Sequence, residues 1–249
     1  MSANERAYKA HGIVLRARNL GEADKIYTLF TYERGKIDAV GKGVRRTQSR
    51  LAGRLEFMNE SALTLHRGRN LDVITSAEIG RQHWSAVVTP AGFATAHVIA
   101  ELVDAFCELD LAVPEIYALL RGALGALAAA PDPAAIVPRF ALRLLGTLGF
   151  GPSSEGCVRC GRPFDRAAAW ADLEAGGLAC EPCRPRSADA LPLGPVDVEN
   201  FRGLAAAPGT ERAALLATPA AARAVDAFVS WHLGKRPKSS RLLDDLAHA

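Results

Sequence analysis

No stretch of the sequence is both long and apolar enough to cross a bilayer. The longest uncharged stretch includes Ser85 to Ala100 and is interrupted by Pro90 and His97. The opening "MSANERAYKAHG" lacks the apolar core of a secretory leader, so a cytoplasmic setting without a membrane partner is expected. Catalytic signatures are missing too. There is no HExxH, no HxE of a zinc deaminase and no GxSxG. "GKIDAVGKG" (35–43) imitates a phosphate loop, but five residues separate its first two glycines instead of four. Gly43 also stands where a magnesium-binding Ser or Thr is required. The chain therefore reads as a binding protein, not an enzyme. Cysteine is scarce at five residues, yet four of them form two CxxC pairs, which in an unexported chain favours a metal over disulfides.

Apolar residues at 49% and charged ones at 23% of 249 residues are ordinary for a globular protein of one or two domains. The net charge of +3 is unevenly spread. Residues 1–83 carry 15 Lys/Arg against 9 Asp/Glu, residues 84–150 carry 3 against 6, and residues 151–249 carry 12 of each. A basic first third beside a neutral-to-acidic remainder suggests a polyanion-binding module on a separate scaffold. The densest segment is "VGKGVRRTQSRLAGRLE" (40–56), where Lys42, Arg45, Arg46, Arg50 and Arg54 precede any acid.

The first eighty residues alternate like strands. "GIVLRARNL", two β-rich runs around the hairpin Glu33-Arg34-Gly35-Lys36, "SALTLH" and "LDVITSAEI" make about five. That number suits a small Greek-key barrel of the OB type, which binds single strands by backbone charge and stacked bases. The spacing of Arg50, Leu51, Arg54 and Leu55 predicts a short helix across the barrel end. Tyr27, Phe30, Tyr32 and Phe57 are the aromatics at hand, with Phe30 expected in the core. Arg34, Lys36, Arg67 and Arg69 could extend the basic patch.

From about Thr89 the period becomes helical. Val98, Leu102, Phe106 and Leu109 form one face, with Glu101, Asp104 and Glu108 on a solvated one. Pro114 opens a second helix, "PDP" (131–133) breaks it, and Phe140, Leu144 and Leu148 mark a third that Gly149 stops. Val225, Phe228, Val229 and Leu233 share the face of a later one. Residues 155–184 lack apolar periodicity and read as an inserted module. There Cys157-x-x-Cys160 and Cys180-x-x-Cys183 have the spacing of a structural zinc site: four thiolates bind one ion tetrahedrally and leave no position open for catalysis. The six histidines (11, 66, 83, 97, 232, 248) are dispersed, and Cys107 reads as a buried apolar residue.

The whole chain resembles the RecO family of bacterial recombination mediators. The resemblance rests on Gly21-Glu22-Ala23-Asp24-Lys25, on Gly41 to Arg45 followed by Ser49-Arg50-Leu51, on the cysteine quartet and on the ending "WHLGKRPKSSRLL". It implies an α+β multidomain chain: an OB-fold DNA-binding domain at 1–82, an α-helical domain at 83–154 and 186–249, and a four-cysteine zinc-binding module inserted at 155–185. It implies binding to single- and double-stranded DNA, annealing of complementary strands without ATP, and partnership with RecR and single-strand-binding protein in loading RecA. A nucleoid-associated location goes with it. Lys42, Arg45, Arg46, Arg50 and Arg54, then Arg34, Lys36, Arg67 and Arg69, are the expected DNA contacts. Arg121, Arg139 and Arg143 are the candidates for holding the acidic tail of single-strand-binding protein. Two readings of other classes stay open: a zinc-bearing adaptor for an acidic protein, and a metal-dependent DNA-processing enzyme.

Overall fold

The computed structural model describes residues 7–129, 135–164, 167–187, 190–207, 209–210 and 216–247. The PDP break and His248 lie outside these residues. The chain divides into two compact units, Met1–Ala129 with Leu242–Ala249, and Ala130–Arg241.

The first unit begins with a closed five-stranded barrel: β1 (Ala7–Leu20), β2 (Asp24–Thr31), β3 (Gly35–Gly41), β4 (Glu60–His66) and β5 (Asp72–Arg81). The order around it is β1-β2-β3-β5-β4, all pairs antiparallel except β3 with β5. Closure removes every sheet edge, and only the inner half of each strand's alternation needs apolar residues. The inward set is Ala10, Val14, Tyr27, Leu29, Ile37, Ala39, Leu63, Leu65, Ile74 and Ala77, capped by Val44 and Leu55 from the β3–β4 connection. The predicted short helix there is a single 3₁₀ turn, Ala52–Arg54.

α1 (Trp84–Val87), α2 (Pro90–Phe106) and α3 (Pro114–Ala129) belong to the same unit. Thr89 caps α2 through its hydroxyl, which accepts the Gly92 N–H at 3.0 Å. The helix ends at Phe106, short of the predicted Leu109, because Cys107 turns extended. Leu109 instead bridges to Lys36 on β3, and the Asp110 N–H donates to the Lys36 carbonyl at 2.8 Å. Asp104 is not solvated as its pattern suggested; it pairs with Arg16 and Lys36. Arg16 is the register partner of Thr28, and Lys36 that of Phe30, so the carboxyl half of α2 lies over the outward face of β1–β2–β3. Thr28 and Phe30 are buried there.

In the second unit α4 (Ile136–Thr147), α5 (Pro195–Ala205) and α6 (Pro219–Leu233) pack together around Phe140, Leu144, Phe201 and Phe228. A three-stranded sheet, ordered β7 (Gly177–Cys180), β6 (Ala169–Asp172) and β8 (Leu191–Leu193), carries the cysteine module. The buried Arg202 guanidinium donates to the carbonyls of Ser154 at 2.8 Å and Glu155 at 3.0 Å. It thereby pins the lead-in to Cys157 on α5, an attachment that residue spacing does not reveal. α7 (Ser240–Ala247) comes after α6 in the chain.

Candidate metal centre and nucleic-acid interface

The four cysteine sulfurs converge. All lie within 4.8 Å of one another, with Cys160 and Cys180 at 3.7 Å. A tetrahedron with metal–sulfur bonds of about 2.3 Å has edges of about 3.8 Å, so the set fits one tetrahedral ion such as zinc. Local folding explains the convergence. The Cys157 N–H donates to the Arg162 carbonyl at 2.7 Å and the Gly161 N–H to the Cys157 carbonyl at 2.8 Å, closing a tight turn around the first pair. The second pair sits where β7 ends in a 3₁₀ turn, Glu181–Cys183. Burial works against charge on Cys157, but backbone N–H groups of Cys180, Cys160 and Arg159 aimed at its sulfur bring its pKa down to about 6. Hydrogen bonds with Cys160 and Cys180 hold the Cys183 proton and push its pKa up to about 12. Four thiolates this close repel each other, and a divalent cation at the centre is what allows all four to ionise together.

The basic loop is built by the barrel's rim. Lys42, Arg45, Arg46 and Arg50 are exposed, and no ion pair is seen for any of them among the described residues. Their backbone is bracketed by the β1–β2 turn. Asp24 Oδ1 accepts the Gly43 N–H at 2.7 Å, the Ala23 carbonyl accepts the Arg45 N–H at 2.9 Å, and the Gly21 carbonyl accepts the Arg45 guanidinium at 3.0 Å. Gly43 has φ +65°, which suits glycine, and a Cβ on Gly41 would come within 2.8 Å of the Tyr27 ring and of Val44. Lys25, register partner of Gly41, and the exposed Arg18, partner of Ile26, flank the same rim. Arg18 alternates with Arg16 on β1 and Lys25 closes the Gly21-to-Lys25 motif, but neither falls in the dense 40–56 run of cations.

The other expected cations are not equivalent. Arg54 donates to the Ala77 carbonyl at 2.7 Å. Arg34 is held by Asp72 and Asp110, and Lys36 by Asp104; Arg34 through Asp110 and Lys36 through Asp104 fasten the barrel to the helical part of its unit. Arg67 and Arg69 are exposed on the β4–β5 turn, and Arg67 shares the Tyr8 ring with Arg34. Partial burial opposes the charge on Asp72, but hydrogen bonds from Tyr8, the Gly68 N–H and Arg34 hold it below the ordinary carboxylate range. Arg121 pairs with Glu60 at 3.0 Å in the first unit, whereas Arg139 and Arg143 belong to α4 in the second, so no single unit gathers the three. Tyr27 is inside the barrel, Phe30 is buried outside it, Tyr32 meets Tyr117 edge-on at 5.8 Å, and Phe57 stacks on His97 at 4.2 Å. No acid cluster resembling a catalytic metal site occurs among the described residues, where the cysteine quartet is the metal-capable group.

Two family models cover nearly the whole chain: Recombination protein O N terminal over residues 3–83, and Recombination protein O C terminal over residues 89–241. The chain belongs to the RecO family. It is 36% identical to the DNA repair protein RecO of Thermobifida fusca, over 95% of this chain and 98% of that one. The DNA repair protein RecO of a Nocardioides species is 35% identical over 93% and 97%, and that of Bifidobacterium adolescentis 42% over 70% and 72%. The two sequence stretches on which the resemblance rests, Gly21 to Lys25 and Gly41 to Arg45, form one structural object, the turn and the loop it brackets. No helix among the described residues of this RecO protein is long and apolar enough to cross a membrane.

Proposed function

We propose that the protein is a recombination mediator that binds single- and double-stranded DNA and anneals complementary strands without ATP. With RecR it helps RecA replace single-strand-binding protein on DNA, working at the bacterial nucleoid in the cytoplasm. The observation that carries this reading is the exposed cationic loop held in shape at the barrel rim. Its charges neutralise phosphates on both strands and release counterions, so two polyanions approach closely enough to pair, and pairing supplies the free energy. Lys42, Arg45, Arg46 and Arg50 make the main contacts, Arg67 and Arg69 extend them, and Arg54 contributes what its bond to Ala77 leaves free. Arg34 and Lys36 contribute less, being paired. We read the barrel as the DNA-binding domain and the cysteine module as an insertion in the helical part. The metal is one zinc ion with a structural role, and the protein has no catalytic step of its own. The acidic tail of single-strand-binding protein is assigned to Arg121, exposed in the first unit, and to Arg139 and Arg143 of α4 in the second, where Arg139 Nε and Nη2 are buried with no hydrogen-bond partner among the described residues.

The direct test is annealing of two labelled complementary oligonucleotides by the purified protein, with and without ATP and with and without single-strand-binding protein. Pairing faster than the spontaneous reaction is expected, at the same rate whether or not ATP is present. Metal-dependent cleavage of either strand, or no interaction with DNA at moderate salt, would end this reading in favour of a DNA-processing enzyme or an adaptor.

Asp24 gives a second test, because its two effects have opposite signs. As a negative charge near the loop it repels DNA; as the acceptor for the Gly43 N–H it shapes the loop. Asp24→Asn keeps an acceptor and removes the charge, so its DNA affinity equals or exceeds that of the wild type. Asp24→Ala removes both and binds more weakly, by a factor of about three to ten, since a hydrogen bond to a charged group contributes roughly 1 kcal/mol at a partly exposed site. Equal strengthening in both variants, measured by anisotropy, would show that only the charge matters.

A further inference from the structure

Phe93 does not share the fate of the large apolar residues in the middle of α2. Val98, Ile99, Leu102 and Val103 are buried, whereas Phe93 is 46% exposed. Its ring is part of a cluster. The Phe93 centroid lies 4.3 Å from that of His97 and 6.0 Å from that of Phe57, edge-on to both, while Phe57 and His97 stack at 4.2 Å with 16° between their planes. Stacked and edge-on arrangements are the two that aromatic rings prefer. The cluster leaves one phenyl ring standing at the surface on a rigid aromatic base.

Hydrogen bonds tie Phe57, part of the base under Phe93, to the end of the cationic segment. Phe57 occupies a turn closed by the Asn59 N–H on the Glu56 carbonyl at 3.0 Å. The Asn59 side-chain amide donates to the Gly53 carbonyl at 3.3 Å and the Ser61 hydroxyl to the Arg54 carbonyl at 2.8 Å. The turn is therefore lashed to the 3₁₀ segment that ends the run of cations, and the aromatic cluster begins three residues beyond Arg54. Of the barrel's own aromatics, Tyr27 and Phe30 are buried and Tyr8 is covered by Arg34 and Arg67; Tyr32 is exposed on the β2–β3 turn, but its partner is Tyr117 and not the 40–56 segment.

Phosphates need cations and bases need flat apolar faces, and single-strand binders place the two side by side. We infer that Phe93, backed by His97 and Phe57, stacks on a base of single-stranded DNA whose phosphates are held by the cationic loop. This inference rests on the DNA-binding reading proposed above and adds a residue outside the barrel to it. A duplex has no free base face to offer Phe93, so the ring selects for single strands where the cations do not. Burial lowers the His97 pKa below the ordinary imidazole range, and the neutral ring adds no charge to the contact at pH 7.

The experiment measures the full chain by anisotropy against a single strand, the same strand carrying abasic sites, and the duplex. It compares wild type, Phe93→Ala, Phe93→Tyr and the Arg45→Glu, Arg46→Glu pair. Phe93→Ala is expected to lose about fivefold to a hundredfold in affinity for the single strand, the range for removing one base–aromatic stack. Its duplex affinity, its salt dependence and its binding to the abasic strand stay at wild-type values, and Phe93→Tyr restores single-strand binding. If Phe93→Ala binds the single strand as tightly as wild type while the arginine pair weakens all three probes, stacking is overturned and the cluster serves a protein partner. Parallel loss on single strand, abasic strand and duplex overturns it as a structural effect. An arginine pair that leaves every probe unchanged removes the cationic-loop reading itself.

Discussion

Withdrawing the metal unfolds residues 155–185. A chelator of picomolar affinity, or Cys157→Ser with Cys180→Ser, removes the centre that replaces a hydrophobic core in this module. The residues that β6 and β7 bury are mostly small, Ala169, Ala171, Gly177 and Ala179 beside Leu178, and four thiolates at 4.8 Å or less cannot share the site without a cation. Structural zinc contributes about 10–16 kcal/mol to the folding of small domains at pH 7, more than the whole stability of most such domains. Hydrogen exchange should show amides of 155–185 losing protection while those of β1–β5 keep theirs. Metal analysis should return one zinc per chain before treatment and none after. A module that stays protected without metal would show that Arg202 and the β-sheet suffice to hold it.

Charge reversal at Arg45 and Arg46 together weakens DNA binding on the order of ten- to a hundredfold near physiological salt. In the proposed reading these side chains meet phosphate and not base edges, so the loss is expected to be the same for every sequence. The salt dependence carries the stronger information. Each lost phosphate contact lowers the slope of log affinity against log salt by about 0.9 on duplex and about 0.7 on single strands. The double variant should therefore be shallower by about 1.8 and about 1.4, before counting the added repulsion. Annealing should fall with binding. An unchanged slope with weaker affinity would mean that the substitutions disturbed the loop and not the contacts, and Asp24→Ala provides the comparison for that outcome.

The parts of this structure that are legible in the sequence are those governed by short-range rules. The barrel can be read because alternation along each strand follows from one wet and one dry face, as in Leu63 and Leu65 of β4. The cysteine quartet can be read because two-residue spacers are what a tetrahedral ion demands. The ends of α2 show the limit. Leu109 fits the helical period of Val98, Leu102 and Phe106, yet Cys107 turns extended and Leu109 joins β3. Pairing at long range is invisible for the same reason. Nothing near Arg34 or Lys36 announces that Asp72, Asp104 and Asp110 will take up their charge. Phe93, His97 and Asp104 do leave a trace: they fall at i, i+4 and i+11, on one face of a helix. That face reads as solvated because its acids stand out and its rings do not.

The roof that α2 places over β1–β2–β3 has a mechanical consequence. A protein that sank its strand into that sheet would have to surrender it before a complement could approach. Here that face is covered by α2, so in the proposed reading a captive strand would lie along the rim, gripped from one side. Its Watson–Crick edges would then stay turned toward the solution, already presented to whichever partner arrives, and release would not need to precede pairing.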